Sequence, residues 1–434
     1  MDFDPVAYIN LPRGMETRLG LGRIAEVLEK AGKPQDSLRF VHVAGTNGKG
    51  STCAFIASIL QEAGFVTGFF SSPYNLEFAD RIRVNGKNIP HEELLPITLQ
   101  VKAIADCMED HPTEFELMCA VAFIHFVRQG CDIVVCEVGL GGRLDATNVI
   151  GCPDLCVITP IGLDHMALLG NTIAEISGEK AAIIKEGASV LSWPQLPEAM
   201  EPIERQAAAM GATLNFPDFS RLRMRAKGEG GPASLDACRE FDYKGLEGLQ
   251  IRLLGSYQPF NAAMAIEAIF LLQQQGWPIG ETAIRRGREK ASWPGRFELF
   301  SLQPTFIIDG AHNVDGVRVL IESLELNFPG ARAVFVVGVL EDKDYRGMLE
   351  LVVPLARAFV TITPPSPRAL SASVLTKAIL ALEQAAGLCE EDVPVFCAQD
   401  YPEALEHARL VAGDDGVVCA FGSLYSVAAI KKAW

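Results

Sequence analysis

Of the 434 residues 49% are hydrophobic and 21% charged, a globular balance with enough apolar material for two or three domains. The formal net charge of −16 argues against nucleic acid or an anionic membrane as partner, since both call for clustered Lys and Arg, yet it leaves room for a small anionic substrate in a local basic site. No apolar run approaches a membrane span, and the opening MDFDPVAYIN lacks the basic and apolar regions of a signal peptide, so a cytoplasmic protein is expected. Eleven cysteines occur without a C-x-x-C pair, and Cys136, Cys156, Cys397 and Cys419 lie inside apolar strand-like runs, which points to reduced core thiols.

Along the chain, short β-rich runs alternate with helical periodicity, the order that yields βαβ units and a mainly parallel sheet, hence the α/β class. Strands are expected at 38–44, 66–71, 132–138, 155–160 and 188–193. Between the first two, FIASILQEAG puts Phe55, Ile56, Ile59 and Leu60 on one helix face and stops at Gly64. Residues 194–255, which include RAKGEGGPAS, are irregular and read as peripheral strands and loops of the first domain. A Pro-Gly pair in SWPGRFELF, 292–300, marks the expected boundary. Beyond it TFIID, AVFVVGV, FVTIT, VPVFCA and GVVCAFG each precede a helix-like segment, giving a smaller second α/β domain.

The run FVHVAGTNGKGS ends a strand at Ala44 and sets Gly45, Gly48 and Gly50 around Lys49 before a helix. Glycines let backbone N–H groups approach phosphate, a helix N-terminus favours an anion, and the lysine adds charge. An ordinary Gly-rich turn has the same outline. The usual phosphate loop has a glycine where Val43 stands and a hydroxyl, which holds magnesium, where Gly50 follows Lys49. In open α/β sheets ligands gather beyond the carboxyl ends of strands, and three residues able to bind metal fall there: Ser72, Glu137 and His165. Singly, each also suits a turn, a surface charge or a helix cap. Glu137 is the hardest to set aside, because a carboxylate amid Ile133, Val134, Val135 and Val138 needs a nearby cation to offset its desolvation.

The chain resembles the folylpolyglutamate synthase family, whose bacterial form often also acts as dihydrofolate synthase, within the wider group of Mur-type ATP-dependent amide ligases. The resemblance is carried by GTNGKGS, SSPYNLEFADRIRVNG, PTEFELMCAVAFIHF, EVGLGGRLDATNV, ITPIGLDHMALLGNTIAEISGEKAAIIK, PGRFE, DGAHN, DKDYRGML and FGSLYSV, in order along nearly the whole chain. It implies an N-terminal P-loop ATPase-type domain, Mur-ligase-like and catalytic, over 1–296, and a smaller Rossmann-like substrate-binding domain over 297–434. It implies that ATP phosphorylates a pterin-substrate carboxylate and that the amino group of L-glutamate attacks the acyl phosphate, with dihydropteroate or reduced folates as acceptors. ATP would be bound by the loop residues Gly45, Thr46, Asn47, Gly48, Lys49, Gly50 and Ser51, by Asn261 in SYQPFNAAMAI, Arg296 in PGRFE and Asp309 in DGAHN. Magnesium, two ions by this resemblance, would be held by Ser72, Glu137 and His165, with Lys180 carried as a carbamate and a monovalent cation in addition. Lys49, Glu137, His165 and Lys180 would then be catalytic.

From residues alone, Glu179, Lys180, Lys185 and Glu186 look like the solvated face of a helix. The substrate side is expected from RLGLGRI near residue 20, from Thr113, Glu114, Phe115 and Glu116, from Asp145, Ala146 and Thr147, and from His312. Thr113 and Asp145 also suit helix caps, and His312 a local hydrogen bond. The chain departs from the family pattern at Tyr74, Asp80, Ala182 and Val314, where histidine, glutamate, glycine and proline are usual. A P-loop phosphotransferase or simple NTPase, a Mur-type ligase of cell-wall precursors and a non-catalytic nucleotide-binding protein are the competing readings. The last is disfavoured because no strand-linked G-x-G-x-x-G follows residue 300. A monomer without nucleic-acid or membrane partners is expected.

Overall fold

A computed structural model describes residues 3–11, 18–74, 76–225, 234–385 and 393–434. The first two residues, Asn75 of SSPYNLEFADRIRVNG and residues 226–233 of RAKGEGGPAS lie outside the described residues.

The apolar runs of the first part become strands: β1 (Phe40–Ala44), β2 (Thr67–Phe70), β5 (Ile133–Glu137), β6 (Leu155–Ile158) and β7 (Ser189–Ser192). Shorter strands that no apolar run announces complete the sheet: β3 (Ile82–Val84), β4 (Lys87–Asn88) and β8 (Thr213–Asn215). Their order is β4-β3-β2-β5-β1-β6-β7-β8, parallel from β2 to β8 with β3 and β4 antiparallel at one edge.

Parallel neighbours need crossover connections, so helices cover both faces and the strands are apolar on both sides. On one face Phe40, Phe70, Val134 and Cys136 pack with Val121 and Phe123 of helix Glu114–Arg128 and Ile97 and Val101 of helix His91–Ala105. Farther along the same face, Ala44, Cys156 and Ile158 meet Ala181 of helix Ile173–Ala181 and Ile203 of helix Pro197–Ala209.

The later runs form a second sheet from β12 (Glu298–Leu302), β13 (Thr305–Ile308), β14 (Ala333–Val337), β15 (Ala356–Thr361), β16 (Val395–Cys397) and β17 (Val417–Phe421). Its order is β12-β13-β17-β14-β15-β16, with β12 antiparallel to β13. In AVFVV the period of two is visible as a division of labour. Ala333, Phe335 and Val337 enter the core on one face, Val334 and Val336 the core on the other. Cys136, Cys156 and Cys419 are buried as expected, whereas Cys397 is exposed, because β16 ends the sheet and its side chains are only partly covered.

The chain divides into two compact units, 1–219 with 261–290 and 220–260 with 291–434, rather than at a single break near 296. The irregular stretch is therefore split. Its later part pairs as the antiparallel sheet of β9 (Leu222–Met224), β10 (Arg239–Tyr243) and β11 (Leu246–Ile251), and Leu254 is buried in the core of the second unit beside residues such as Ile307 and Phe335. The backbone N–H of Ser256 donates to Ser323 Oγ at 2.8 Å and strengthens that attachment. Among the described residues no helix is long and apolar enough to cross a membrane.

Candidate active site

At the end of β1 the backbone turns through conformations that only glycine tolerates. Gly45 has φ 149°, and a Cβ there would lie 1.9 Å from Thr159 Oγ1; Gly48, at φ 83°, caps helix Lys49–Glu62, and its Cβ would lie 2.8 Å from Asn261 Oδ1. The first amides of a helix have no intrahelical acceptor, so this N-terminus suits an anion. The preceding residues are pinned to the turn after β6: the N–H groups of Thr46 and Asn47 donate to Pro160 O at 2.8 and 3.2 Å. The Thr46 hydroxyl donates to Gly162 O and accepts from Gly162 N, both at 3.1 Å, so it is occupied by backbone.

The sheet order sets β2, β5, β1 and β6 side by side, and with them the segments carrying Ser72, Glu137, the glycine loop and His165 leave at the same edge. Glu137 closes β5 at 5% exposure. Burial pushes the Cys53 thiol of the loop helix up, the Glu137 charge adds to this and Lys49 opposes it, so one helical turn feels both groups. His165 adopts φ 51° and its N–H donates to Asp164 Oδ1 at 2.9 Å, with Nε2 3.9 Å from the same oxygen. Asp164 was not singled out in the sequence, although its place directly before His165 at a strand end is the signal that could have found it.

Lys180 is where the solvated-helix reading fails. It is 5% exposed, and its Nζ donates to Gly45 O at 2.8 Å, the carbonyl to which Lys49 Nζ also donates at 3.1 Å. Burial, and secondly the charge of Lys49, lower its pKa to about 7. Lys185 is half-buried as well and reaches Asn148 O, while Glu186 is exposed. The helix bearing Lys180 is brought inward by the loop after β5: a Cβ on Gly142 would lie 2.6 Å from Glu179 O, and Arg143 N donates to that carbonyl at 2.9 Å.

Of the substrate-side residues, Phe115 reaches the segment just after β5; its ring covers Gly139, where a Cβ would sit 2.5 Å from Cζ. Glu114 is exposed and pairs at 2.9 Å with Arg81, whose guanidinium lies 5.4 Å from the Tyr74 ring and 5.8 Å from that of Phe78. Thr113 and Glu116 form a capping box, and Arg23 of RLGLGRI donates to Glu116 Oε2 at 3.0 Å, so these two stretches meet. Asp145 is likewise a cap, accepting from Thr147 N, Thr147 Oγ1 and Leu140 N, and Ala146 and Thr147 are buried beneath the loop. His42 Nε2 lies 2.9 Å from Thr147 Oγ1; since that hydroxyl donates to Asp145, the imidazole is the donor. Asp80 accepts from Leu76 N and Glu77 N at 2.7 and 3.2 Å, so at this departure from the family pattern the carboxylate shapes its own turn.

In the second unit Arg296, Asp309 and His312 gather beyond β13. Asp309 is 4% exposed and accepts from Phe297 N at 2.6 Å, Ala311 N at 2.7 Å and the Tyr257 hydroxyl at 3.2 Å. His312 Nδ1 donates to Gly310 O at 2.8 Å. Among the described residues no three His, Cys, Asp or Glu side chains are grouped to hold a metal ion by themselves.

Two family models match the chain, the Mur ligase middle domain over 43–269 and the Mur ligase glutamate ligase domain over 295–424: the chain belongs to the Mur ligase family of ATP-dependent ligases. Dihydrofolate synthase/folylpolyglutamate synthase of Bacillus subtilis is 38% identical over 95% of this chain and 94% of its own. The chain is similar as well to Escherichia coli FolC in complex with DHPP and ADP, with TM-score 0.83 and 28% identity over 98% of this chain and 96% of that one. Folylpolyglutamate synthase of Mycobacterium tuberculosis complexed with ADP and AMPPCP gives TM-score 0.84 and 29% identity over 96% and 95%. Within the family its branch is that of the folylpolyglutamate and dihydrofolate synthases.

Proposed function

We infer that this protein joins L-glutamate to dihydropteroate, to reduced folates or to both, by way of an acyl phosphate made at the expense of ATP. The observation that carries the reading is the assembly at one sheet edge of the glycine loop, two lysines converging on Gly45 O, the buried Glu137 and the His165 turn. In acyl-phosphate chemistry the protein need not form a covalent intermediate; its task is to orient the reactants and offset charge. Lys49 and the amides at the start of its helix bind the phosphates, and Asn261 lies against Gly48 in reach of the same ligand. Within 297–434 Asp309, and with it Arg296 in the preceding loop, contact the nucleotide, and His312 takes part in holding substrate. Phe115, with Glu114 and Arg81 beside it, lines the pterin side, while Thr113, Glu116, Asp145, Ala146 and Thr147 hold that surface in shape.

Magnesium fits the residues present, since a carboxylate, a hydroxyl and an imidazole stand at adjoining strand ends next to a loop that lacks the usual hydroxyl after its lysine. Ser72, Glu137 and His165 would hold it. When bound, the ion spreads the charge of the phosphoryl group in transfer. Lys180 as a carbamate suits the same cation. Its pKa of about 7 leaves a large neutral-amine fraction for reaction with carbon dioxide, and the carbamate nitrogen keeps an N–H for Gly45 O. A monovalent cation is assigned no residues. The test is ADP formation with dihydropteroate or tetrahydrofolate, each with and without glutamate. Turnover that requires both acceptor and glutamate supports the ligase; ADP release indifferent to glutamate would mean a phosphotransferase or NTPase.

A further inference from the structure

Tyr257 is a half-buried tyrosine to which neither the sequence pattern nor the proposed chemistry assigns a part. Its hydroxyl donates to Asp309 Oδ2, and its ring is seated so closely that a Cβ on Gly255 would lie 2.7 Å from Cε1. An ionised carboxylate has about four acceptor sites. In Asp309 three are taken, by Tyr257 Oη, Phe297 N and Ala311 N, which leaves one. The donor arrangement is held against a backbone cost. Phe297 adopts φ 46°, a conformation that a bulky residue keeps only where its surroundings over-determine it. Next to it Arg296 crosses the turn, with Nη1 2.6 Å from where a Cβ of Gly310 would stand. Burial raises the Asp309 carboxyl above its usual range, and the Arg296 charge and the N–H and O–H donors work against that rise. Burial first, and then the nearby Asp309, push the Tyr257 hydroxyl well above its usual range, so it stays a donor at neutral pH.

We propose that Tyr257 is a positioning residue for the nucleotide: it aims the remaining acceptor site of Asp309 at a hydrogen-bond donor of ATP, either a ribose hydroxyl or the exocyclic amine of the base. This rests on the reading of Asp309 as a nucleotide contact. The phenol's aromatic ring does the packing and its hydroxyl the aiming, so Tyr257→Phe separates the two.

The experiment compares wild type, Tyr257→Phe and Asp309→Asn of the full chain. Calorimetric affinities would be taken for ADP, 2′-deoxy-ADP, 3′-deoxy-ADP and inosine diphosphate, alongside KM for ATP, kcat and thermal midpoint. In Tyr257→Phe, ADP affinity and KM for ATP should weaken about tenfold with kcat changed less than about twofold, the loss expected for a hydrogen bond to a charged group. The loss should vanish for the one analogue that lacks the donor Asp309 accepts. Unchanged ADP affinity in Tyr257→Phe while Asp309→Asn is impaired would overturn the role of Tyr257 and leave that of Asp309 standing. Unchanged affinity in both variants would overturn the Asp309 reading and this inference with it. An equal loss on all four nucleotides, or a lowered midpoint with kcat and KM moving together, would mark a merely structural tyrosine.

Discussion

At Glu137 a carboxylate closes an otherwise aliphatic strand, so an amide of the same shape isolates what its charge contributes. Glu137→Gln should lower turnover on the order of 100-fold or more with the fold intact, because the cation it is proposed to hold loses an anionic ligand. Near-normal kcat at saturating magnesium would remove Glu137 from the metal site. Gly50→Ser, which restores the more familiar hydroxyl after Lys49, should not rescue that variant. Lys180 is tested differently, since it is proposed to act as an acid-bearing side chain made from a base. Lys180→Ala should have low activity, partly restored by small carboxylates such as acetate that fill the vacated space; full activity without them would show that the amine has only a structural bond to Gly45 O.

Between secondary-structure elements, the loop helix Lys49–Glu62 depends on a close crossing with helix Glu281–Lys290. A Cβ on Gly287 would lie 2.4 Å from Ile59 Cα and 2.6 Å from Ile59 N, and Ser58 Oγ donates to Gly287 O at 2.6 Å. Backbone cannot withdraw as a side chain can, so Gly287→Ala forces the helices apart. Overpacking of this kind costs about 1–3 kcal/mol. Urea unfolding should show that loss, accompanied by a raised KM for ATP as the helix that starts at Lys49 shifts; an alanine variant with unchanged midpoint and KM would mean the crossing relaxes freely. Much of this level was legible in the sequence. The runs at 133–136 and 333–337 are strands because four or five successive apolar residues suit a sheet covered on both faces. β3, β4 and β8 were not legible, being two or three residues long and dependent on pairing with a neighbour.

For the whole molecule, acid stability follows from histidines kept neutral inside. Burial, with a secondary push from Lys185, depresses His42 to about 3, against 6.5 when exposed. The unfolded chain therefore binds a proton below pH 6.5 that the folded chain refuses, and stability is present above 6.5 and lost as pH falls toward 3. Between pH 7.5 and 5.5 the loss is about 1.4 kcal/mol for His42, and His125, also lowered by burial, adds in the same direction. Urea unfolding across that range should reveal it, and His42→Asn should be less stable at pH 7.5 but show a shallower slope. An unchanged slope would mean that His42 ionises in place. The reaction itself is a property of the whole enzyme. With heavy oxygen in the carboxylate of the pterin substrate, one label per turnover should pass to inorganic phosphate, as an acyl phosphate requires, and net product should require the amine of glutamate. Unlabelled phosphate would point instead to water attacking a phosphorylated group.

Hydrophobic period and glycine placement by themselves determined the α/β class, most of the parallel strands and the glycine turn after β1, because both depend on local backbone geometry: a strand needs its apolar run, and Gly45 and Gly48 need positive φ. That Ser72, Glu137 and His165 stand at or after the carboxyl ends of neighbouring strands was also readable, since a strand's end is a position in sequence as much as in space. Tertiary structure alone decided the rest. Lys180 reads as a solvated helix residue until the close approach of Gly142 turns that helix inward; Asp164 becomes significant only when Lys180 feels its charge. Residues 220–260 join the second unit because Leu254 finds its core there, and Tyr257 meets Asp309 across 52 positions of chain. Such pairings are set by which surfaces exclude water together, and the spacing of residues along a chain carries no record of that.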